Sequence, residues 1–272
     1  EGGKRDYRGA NLAGGKNAPH PAPFPGKSEG ILALGRTLYL WRDGDGSSPG
    51  YFKFFELHRS DDHGATWRAV GVRFSRNGGD FTGADAGMFA PAFCQFGQAY
   101  AGARDDFVYT YAPDSIDPSH WHIRRPGRIN LLRVPRAKIE SKAAYEFYAA
   151  APGATPAWTK NPAQRKPVWV DATQGTHRMA VSYHPLLKRY LLTTITHNRD
   201  GWFSLYDAPE PWGPWTHAHT EFEPARWGTY TIIFSFVNKW LSADGRDFVI
   251  VHTKDDRWAS IEGRFKFVGD PP

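Results

Sequence analysis

Cysteine is almost absent from this chain of 272 residues: Cys94 is the sole example, so no internal disulfide is available. Paired-cysteine motifs are therefore missing too, and with them dithiol redox chemistry and multi-thiolate metal sites. Cys94 lies in the apolar stretch Phe89-Ala90-Pro91-Ala92-Phe93-Cys94 and reads as an inert buried thiol. No apolar run approaches the length needed to cross a bilayer, so membrane insertion is not expected. A Gly-rich phosphate loop and a Gly-x-Ser-x-Gly elbow are both lacking, which argues against nucleotide-dependent and serine-hydrolase chemistry. There is no Lys/Arg run and no nucleic-acid motif, so nucleic acid is not an expected partner. His120-x-His122 and His217-x-His219 each offer two imidazoles without further ligands, and Asp43-Gly44-Asp45-Gly46 lacks the distal Glu of a calcium loop. Neither a metal nor a cofactor is expected.

What the chain has in abundance is aromatic residues and turn formers: 18 Phe, 12 Tyr and 11 Trp with 28 Gly and 21 Pro. Aromatic residues suit strands, and Gly and Pro punctuate turns, so the composition predicts an all-β protein. The length suits one large β domain or two small ones, and no linker or charge block divides it. We therefore expect an irregular segment over 1–28 and a single domain over 29–272. The start at Glu1, with neither Met nor a signal peptide, reads as a processed or excised product. The formal charge of +6 favours an acidic polymer as partner, a generally basic surface being the plainer alternative.

Short apolar stretches recur in four groups. They are Ile31–Leu34, Thr37–Trp41, Tyr51–His58 and Thr66–Phe74; Phe89–Phe96, Asp106–Tyr111, Asn130–Val134 and Tyr145–Ala149; Met179–Tyr183, Arg189–Thr194, Trp202–Tyr206 and Trp215–Ala218; and Asn238–Ser242, Asp247–His252 and Trp258–Phe267. Each group has the rhythm of an antiparallel meander, the unit of a propeller blade. Ser141–Ala150 and its approach at Arg136–Glu140 leave room for a short helix. The expected fold is a five-bladed β-propeller with a reduced first blade, four blades being the runner-up and a two-sheet sandwich the competing architecture. A fifth blade would draw strands from the N-terminal 28 residues or from Pro167–Asp171.

The segment Ser60-Asp61-Asp62-His63-Gly64-Ala65-Thr66-Trp67 fits the Ser-x-Asp-x-Gly-x-Thr-Trp pattern of an Asp-box. The Asp and Ser side chains tie their own turn while Gly supplies a backbone angle other residues resist. The segment resembles the hairpins between outer strands in sialidase-like propellers. Further runs extend the likeness: Gly97–Tyr109, Val134–Ile139, Ala144–Phe147, Val181–Leu192, Tyr206–Trp215 and Lys239–Gly245. Together, over roughly 29–268, they resemble a bacterial propeller family long described only as a domain of unknown function, whose members include secreted endo-D-arabinanases. The resemblance implies a propeller, cleavage of a furanosidic polysaccharide, and a place outside the cytoplasm, extracellular or periplasmic.

Propeller sites gather at one mouth of the central channel, on inner strands and the loops entering them. That geometry selects Glu29, Asp85, Asp105, His177 and Tyr183 as catalytic candidates, and Tyr100, Arg104, Arg178, Asn238 and Lys239 as substrate-binding ones. Glycoside hydrolysis needs two carboxyl groups, for which Glu29, Asp85 and Asp105 are the candidates. Elimination from a uronate needs a neutralising cation, a base and an acid, which Arg104 or Arg178, His177 and Tyr183 would supply, with Tyr100 beside them. A noncatalytic glycan- or protein-binding propeller is the third reading, with Trp121, Trp158, Trp212 or Trp227 stacking sugars. We expect Arg104, Asp105, His177, Arg178 and Tyr183 to converge on one cavity, and a polysaccharide or oligosaccharide, neutral or anionic, to occupy it.

Overall fold

The computed structural model describes residues 27–44, 53–75, 79–81, 87–114, 127–172, 176, 178–195, 202–222, 233–254 and 257–267. Among them, strands form four antiparallel units. The first is β1 (Lys27–Leu34), β2 (Thr37–Asp43), β3 (Phe54–Ser60) and β4 (Arg68–Ser75). The second is β5 (Ala92–Gln95), β6 (Phe107–Pro113), β7 (Gly127–Pro135), β8 (Glu146–Tyr148) and β9 (Trp158–Thr159), with β10 (Pro167–Asp171) paired to the first half of β7. The third is β11 (Met179–His184), β12 (Arg189–Ile195), β13 (Phe203–Ala208) and β14 (Thr216–Glu221). The fourth is β15 (Phe234–Phe236), β16 (Asp247–Lys254) and β17 (Arg257–Arg264).

The first strands of the units lie side by side and run the same way. β5 and β11 pair in parallel through Cys94↔Val181 and Gln95↔Ser182, β1 packs on β5, and β11 on β15. Meanders radiating from a bundle of parallel inner strands make an all-β propeller. The inner strands touch because Gly30 has no side chain. Its amide donates to the Pro91 carbonyl at 2.9 Å, and a Cβ there would stand 2.7 Å from that oxygen and 2.8 Å from Ala92 Cα.

Aromatic packing seals the seams between units. Trp41, fully buried on β2, stacks on Phe93 of β5 at 5.8 Å and meets Phe55 and Tyr145 edge-on at 5.3 and 6.1 Å. Each such ring pair adds about 0.5–1.5 kcal/mol beyond the area it buries. Phe203 against Phe234 at 4.6 Å closes the seam between the third and fourth units. The β3–β4 turn is tied as its sequence suggests. Ser60 Oγ accepts the Gly64 amide at 2.8 Å, Asp62 takes the Thr66 amide at 2.9 Å and its hydroxyl at 2.6 Å, and the Trp67 indole donates to the Gly64 carbonyl at 3.0 Å. Those bonds hold the Asp62 carboxyl down at about 2, the Thr66 hydroxyl being the largest cause.

Three expectations shift. Pro167–Asp171 is a strand, but it joins the second unit rather than opening another. Arg136–Lys138 and Lys142–Ala144 are single 3₁₀ turns instead of a helix. The fourth inner strand is Phe234–Phe236, and Asn238–Trp240 is a 3₁₀ turn. The polar Ser242–Asp247 stretch folds on itself there: Ser242 Oγ reaches Asp244 at 2.5 Å and accepts the Asp247 amide at 2.8 Å, leaving the alternating Phe234 and Phe236 to pair with β16.

Candidate functional site

Because the inner strands are parallel, their starting ends meet at one mouth. There Glu29 of β1, Ala90 and Pro91 before β5, Arg178 before β11 and Ile233 before β15 line a cavity of about 170 Å³. An Arg178 guanidinium nitrogen donates to Glu29 Oε1 at 2.9 Å, and the two side chains are only 13% and 6% exposed. An ion pair so nearly removed from water carries a desolvation cost that its geometry must repay.

Asp43 completes the arrangement. Strand register sets it opposite Lys27, at the end of β2 beside the start of β1. It is fully buried; Oδ2 accepts the Ala90 amide at 2.6 Å, while Oδ1 has no hydrogen-bond partner among the described residues. Burial first, then the negative charge of Glu29, pushes its carboxyl well above the ordinary range, against the pull of the Ala90 amide, Arg178 and Arg42. The neutral acid is thereby favoured. The same amide bond helps hold Ala90 at φ +44°, a left-handed backbone that costs a residue with a side chain about 1–3 kcal/mol. Behind Asp43, Glu56 accepts from Arg42 and lies 3.1 Å from His58 Nε2, and burial lowers the His58 pKa.

The other described candidates sit at the opposite end of the inner strands. Arg178 precedes β11 and Tyr183 nearly ends it, a separation of about 17 Å along a strand. Arg104 and Asp105 lie in the connection from β5 to β6, which turns at the finishing end. Arg104 lies over the rings of Tyr183 and Tyr190, at 5.6 and 5.9 Å, and donates to the Pro209 carbonyl at 3.0 Å. Asp105 accepts the Phe107 amide at 2.9 Å and the Tyr109 hydroxyl at 2.7 Å. The buried Tyr100 hydroxyl donates to the Phe107 carbonyl and accepts the Tyr109 amide, both at 3.2 Å. Asn238 donates to the Tyr183 carbonyl at 2.9 Å, and the exposed Lys239 lies 5.5 Å from the Trp240 ring. The convergence expected of Arg104, Asp105, Arg178 and Tyr183 thus does not form. They belong to two ends of the channel, because Arg178 enters β11 whereas Arg104, Asp105 and Tyr183 lie where the inner strands finish. Asp85 and His177 lie outside the described residues.

Two features of the mouth face escaped the sequence reading. By sequence Asp43 reads only as part of an incomplete calcium loop; its place beside β1 depends on strand register. Trp202 and Phe222 flank β13 and β14 at the starting-end face, 5.0 Å apart, with Phe222 60% exposed. An apolar–polar switch at the ends of neighbouring strands is the signal that marks them.

The sequence profile described as "Domain of unknown function (DUF4185)" matches residues 33–252. The chain belongs to the DUF4185 family. Asp43, Ala90 and Arg178 fall inside the DUF4185 match, and Glu29 just before it. Among curated proteins nothing matches the sequence. Among solved structures, the DUF4185 chain is similar to β-fructofuranosidase from Schwanniomyces occidentalis, at 10% identity and a TM-score of 0.54, covering 88% of this chain and 44% of that one. A family 117 glycoside hydrolase from Zobellia galactanivorans matches at 11% identity and 0.49, over 88% and 66%. Xylan β-1,4-xylosidase from Bacillus halodurans matches at 15% and 0.39, over 84% and 49%. The DUF4185 chain thus spans 44–66% of the length of these three glycoside hydrolases. At these identities the first likeness establishes a shared fold.

Proposed function

We propose that the protein is a glycoside hydrolase that cleaves a polysaccharide at the channel mouth, with Glu29 as the reacting carboxylate. The observation that carries this reading is the Glu29–Arg178 pair, nearly buried at 2.9 Å in a cavity walled by the inner strands. A carboxylate held in place by a cation at a largely buried site suits attack at an anomeric carbon. Glu29 acts as base or nucleophile toward that carbon. As the glycosidic C–O bond breaks, the departing oxygen takes a proton from a second carboxyl, for which Asp85, preceding β5 in the chain, is our choice. Asp43 is a positioning residue. Burial pushes its carboxyl toward the neutral form, which limits the negative charge beside Glu29. His177, adjoining Arg178 in sequence, is assigned to substrate binding, and Trp202 with Phe222 offers a ring surface on the same face.

The resemblance to endo-D-arabinanases makes a furanosidic glycan the favoured substrate and the extracellular space or periplasm the favoured location. We further propose that Ser60–Trp67 is a sialidase-type Asp-box and that the blades number five. Among the described residues β15 and β1 share no interface like those joining β1, β5, β11 and β15 in turn, which favours a further unit between them. Elimination is disfavoured because Arg104 and Tyr183 stand at the other end of the channel. The test is to incubate wild type and Glu29→Gln with arabinan and other polysaccharides, reading reducing ends and ultraviolet absorbance. Reducing ends alone, lost by about 10²–10⁴-fold in the variant at equal folded fraction, are expected. Absorbance from an unsaturated uronate, or binding without cleavage on every glycan, would overturn the reading.

A further inference from the structure

We propose that the groove at the finishing end of the second unit is a separate binding site for an anionic sugar chain. The groove has a volume of about 550 Å³ and is lined by Phe107, Arg133, Lys138, Ser141, Glu146 and Lys160, among others. Such a volume lies within the range of roughly 300–1,000 Å³ usual for small-ligand sites. Its floor is rigid. Arg133 is sandwiched between the Trp158 and Phe107 rings, at 3.8 and 4.2 Å, and its guanidinium meets Glu146 at 2.9 Å. That pair neutralises the carboxylate lining the groove.

Two ammonium groups then face it without a carboxylate partner among the described residues. Lys160 Nζ donates one proton to the Ala143 carbonyl at 2.8 Å, which pins the side chain and leaves two donors. Lys138 is exposed, and the turn beneath it is closed by the Ser141 amide on the Lys138 carbonyl at 2.9 Å. Lys142, from the same segment, turns away to Asp80 at 2.8 Å, so the positive charge of the groove is confined to its rims. Two compact point charges beside a hydroxyl suit a sugar carboxylate or sulfate ester. They fall short of the long basic stripe that a nucleic acid backbone requires. The groove also lies far from the mouth: β7, which spans the second unit from end to end, is about 26 Å long. One bound sugar cannot touch both places, so the groove would hold a polymer rather than process it. It stands independently of the hydrolytic reading.

The experiment uses the full chain with Glu29→Gln, so that turnover does not enter. Titration calorimetry at low salt compares oligogalacturonate, its methyl ester and a sulfated oligosaccharide. Binding of at least one anionic chain, weakened tenfold or more by Lys138→Gln/Lys160→Gln and by raised salt, is expected, the acid and sulfate arms identifying which anion fits. Thermal unfolding checks that the double variant folds, and Lys142→Gln serves as the neighbouring control with binding kept. Equal affinity for the methyl ester, unchanged binding by the double variant, or no binding of either anionic chain would overturn the proposal.

Discussion

The two ends of the inner strands hold the same kinds of residue, arginine, carboxylate and aromatic ring, arranged to opposite effect. At the mouth, Arg178 and Glu29 pair almost out of water, next to a carboxyl that burial favours as neutral. At the finishing end, Arg104 is 40% exposed, and Asp105 engages both oxygens with groups of the strand that follows it. A carboxylate whose oxygens are taken up by the following strand is a cap. Glu29 instead faces a cavity and a cation from another inner strand. Residue type alone does not separate these cases; the partners do.

Removing each arginine in turn should separate the two ends most. Arg178→Met removes one member of a nearly buried ion pair and should cost about 3–5 kcal/mol, whereas Arg104→Met should cost about 0–1 kcal/mol. Urea unfolding of both variants measures this, and equal losses would erase the distinction. A step smaller, Gly30→Ala drives a methyl into the backbone of Pro91 and Ala92 and should cost about 1–3 kcal/mol. It should also lower turnover at equal folded fraction, since it displaces β1 beside Glu29.

Protonation sharpens the contrast further. The folded Asp43 pKa lies above its reference of 3.8, so the native state holds this proton more tightly than the unfolded chain. Its stabilising contribution is full below that reference and is lost as pH rises toward the folded value. Asp43→Asn keeps an oxygen for the Ala90 amide and removes the loss, so its stability relative to wild type should grow from pH 4 upward. A pH-independent difference in urea midpoints would sink this account. His184 at the finishing end has the opposite sign. Its Nδ1 accepts the Leu187 amide, its Nε2 faces the Gly245 carbonyl, and burial lowers its pKa below 6.5. Its contribution is full above 6.5 and lost as pH falls below it. The smallest effects belong to Asp105→Asn and Tyr183→Phe, each about 1 kcal/mol or less with turnover unchanged. A fall in kcat for either would return the finishing end to the chemistry.

Much of the fold was legible. The strand rhythm of the first three units follows from alternating apolar residues between turn formers, and the units appear as meanders in the expected order. The fourth inner strand was misplaced because Asn238–Ser242 has apolar members, while the hydrogen bonds of Ser242 and Asp244 that claim its end are local and strong. At the site, Glu29 and Arg178 were legible as residues entering inner strands. Asp43 was not, because its neighbour in space is set by the β1–β2 register rather than by any motif.

Composition and periodicity, which act through near neighbours along the chain, were enough to determine an all-β protein of repeated meanders and the tie of the Ser60–Trp67 turn. Which charges share a cavity depends on tertiary packing. Glu29 and Arg178 are 149 residues apart, and they meet because parallel inner strands bring their starting ends together. The same assembly parts Arg178 from Tyr183, a few residues away in sequence, and buries Asp43, which raises its pKa. Electrostatic energy depends on distance and dielectric, and both are properties of the packed molecule rather than of the sequence order.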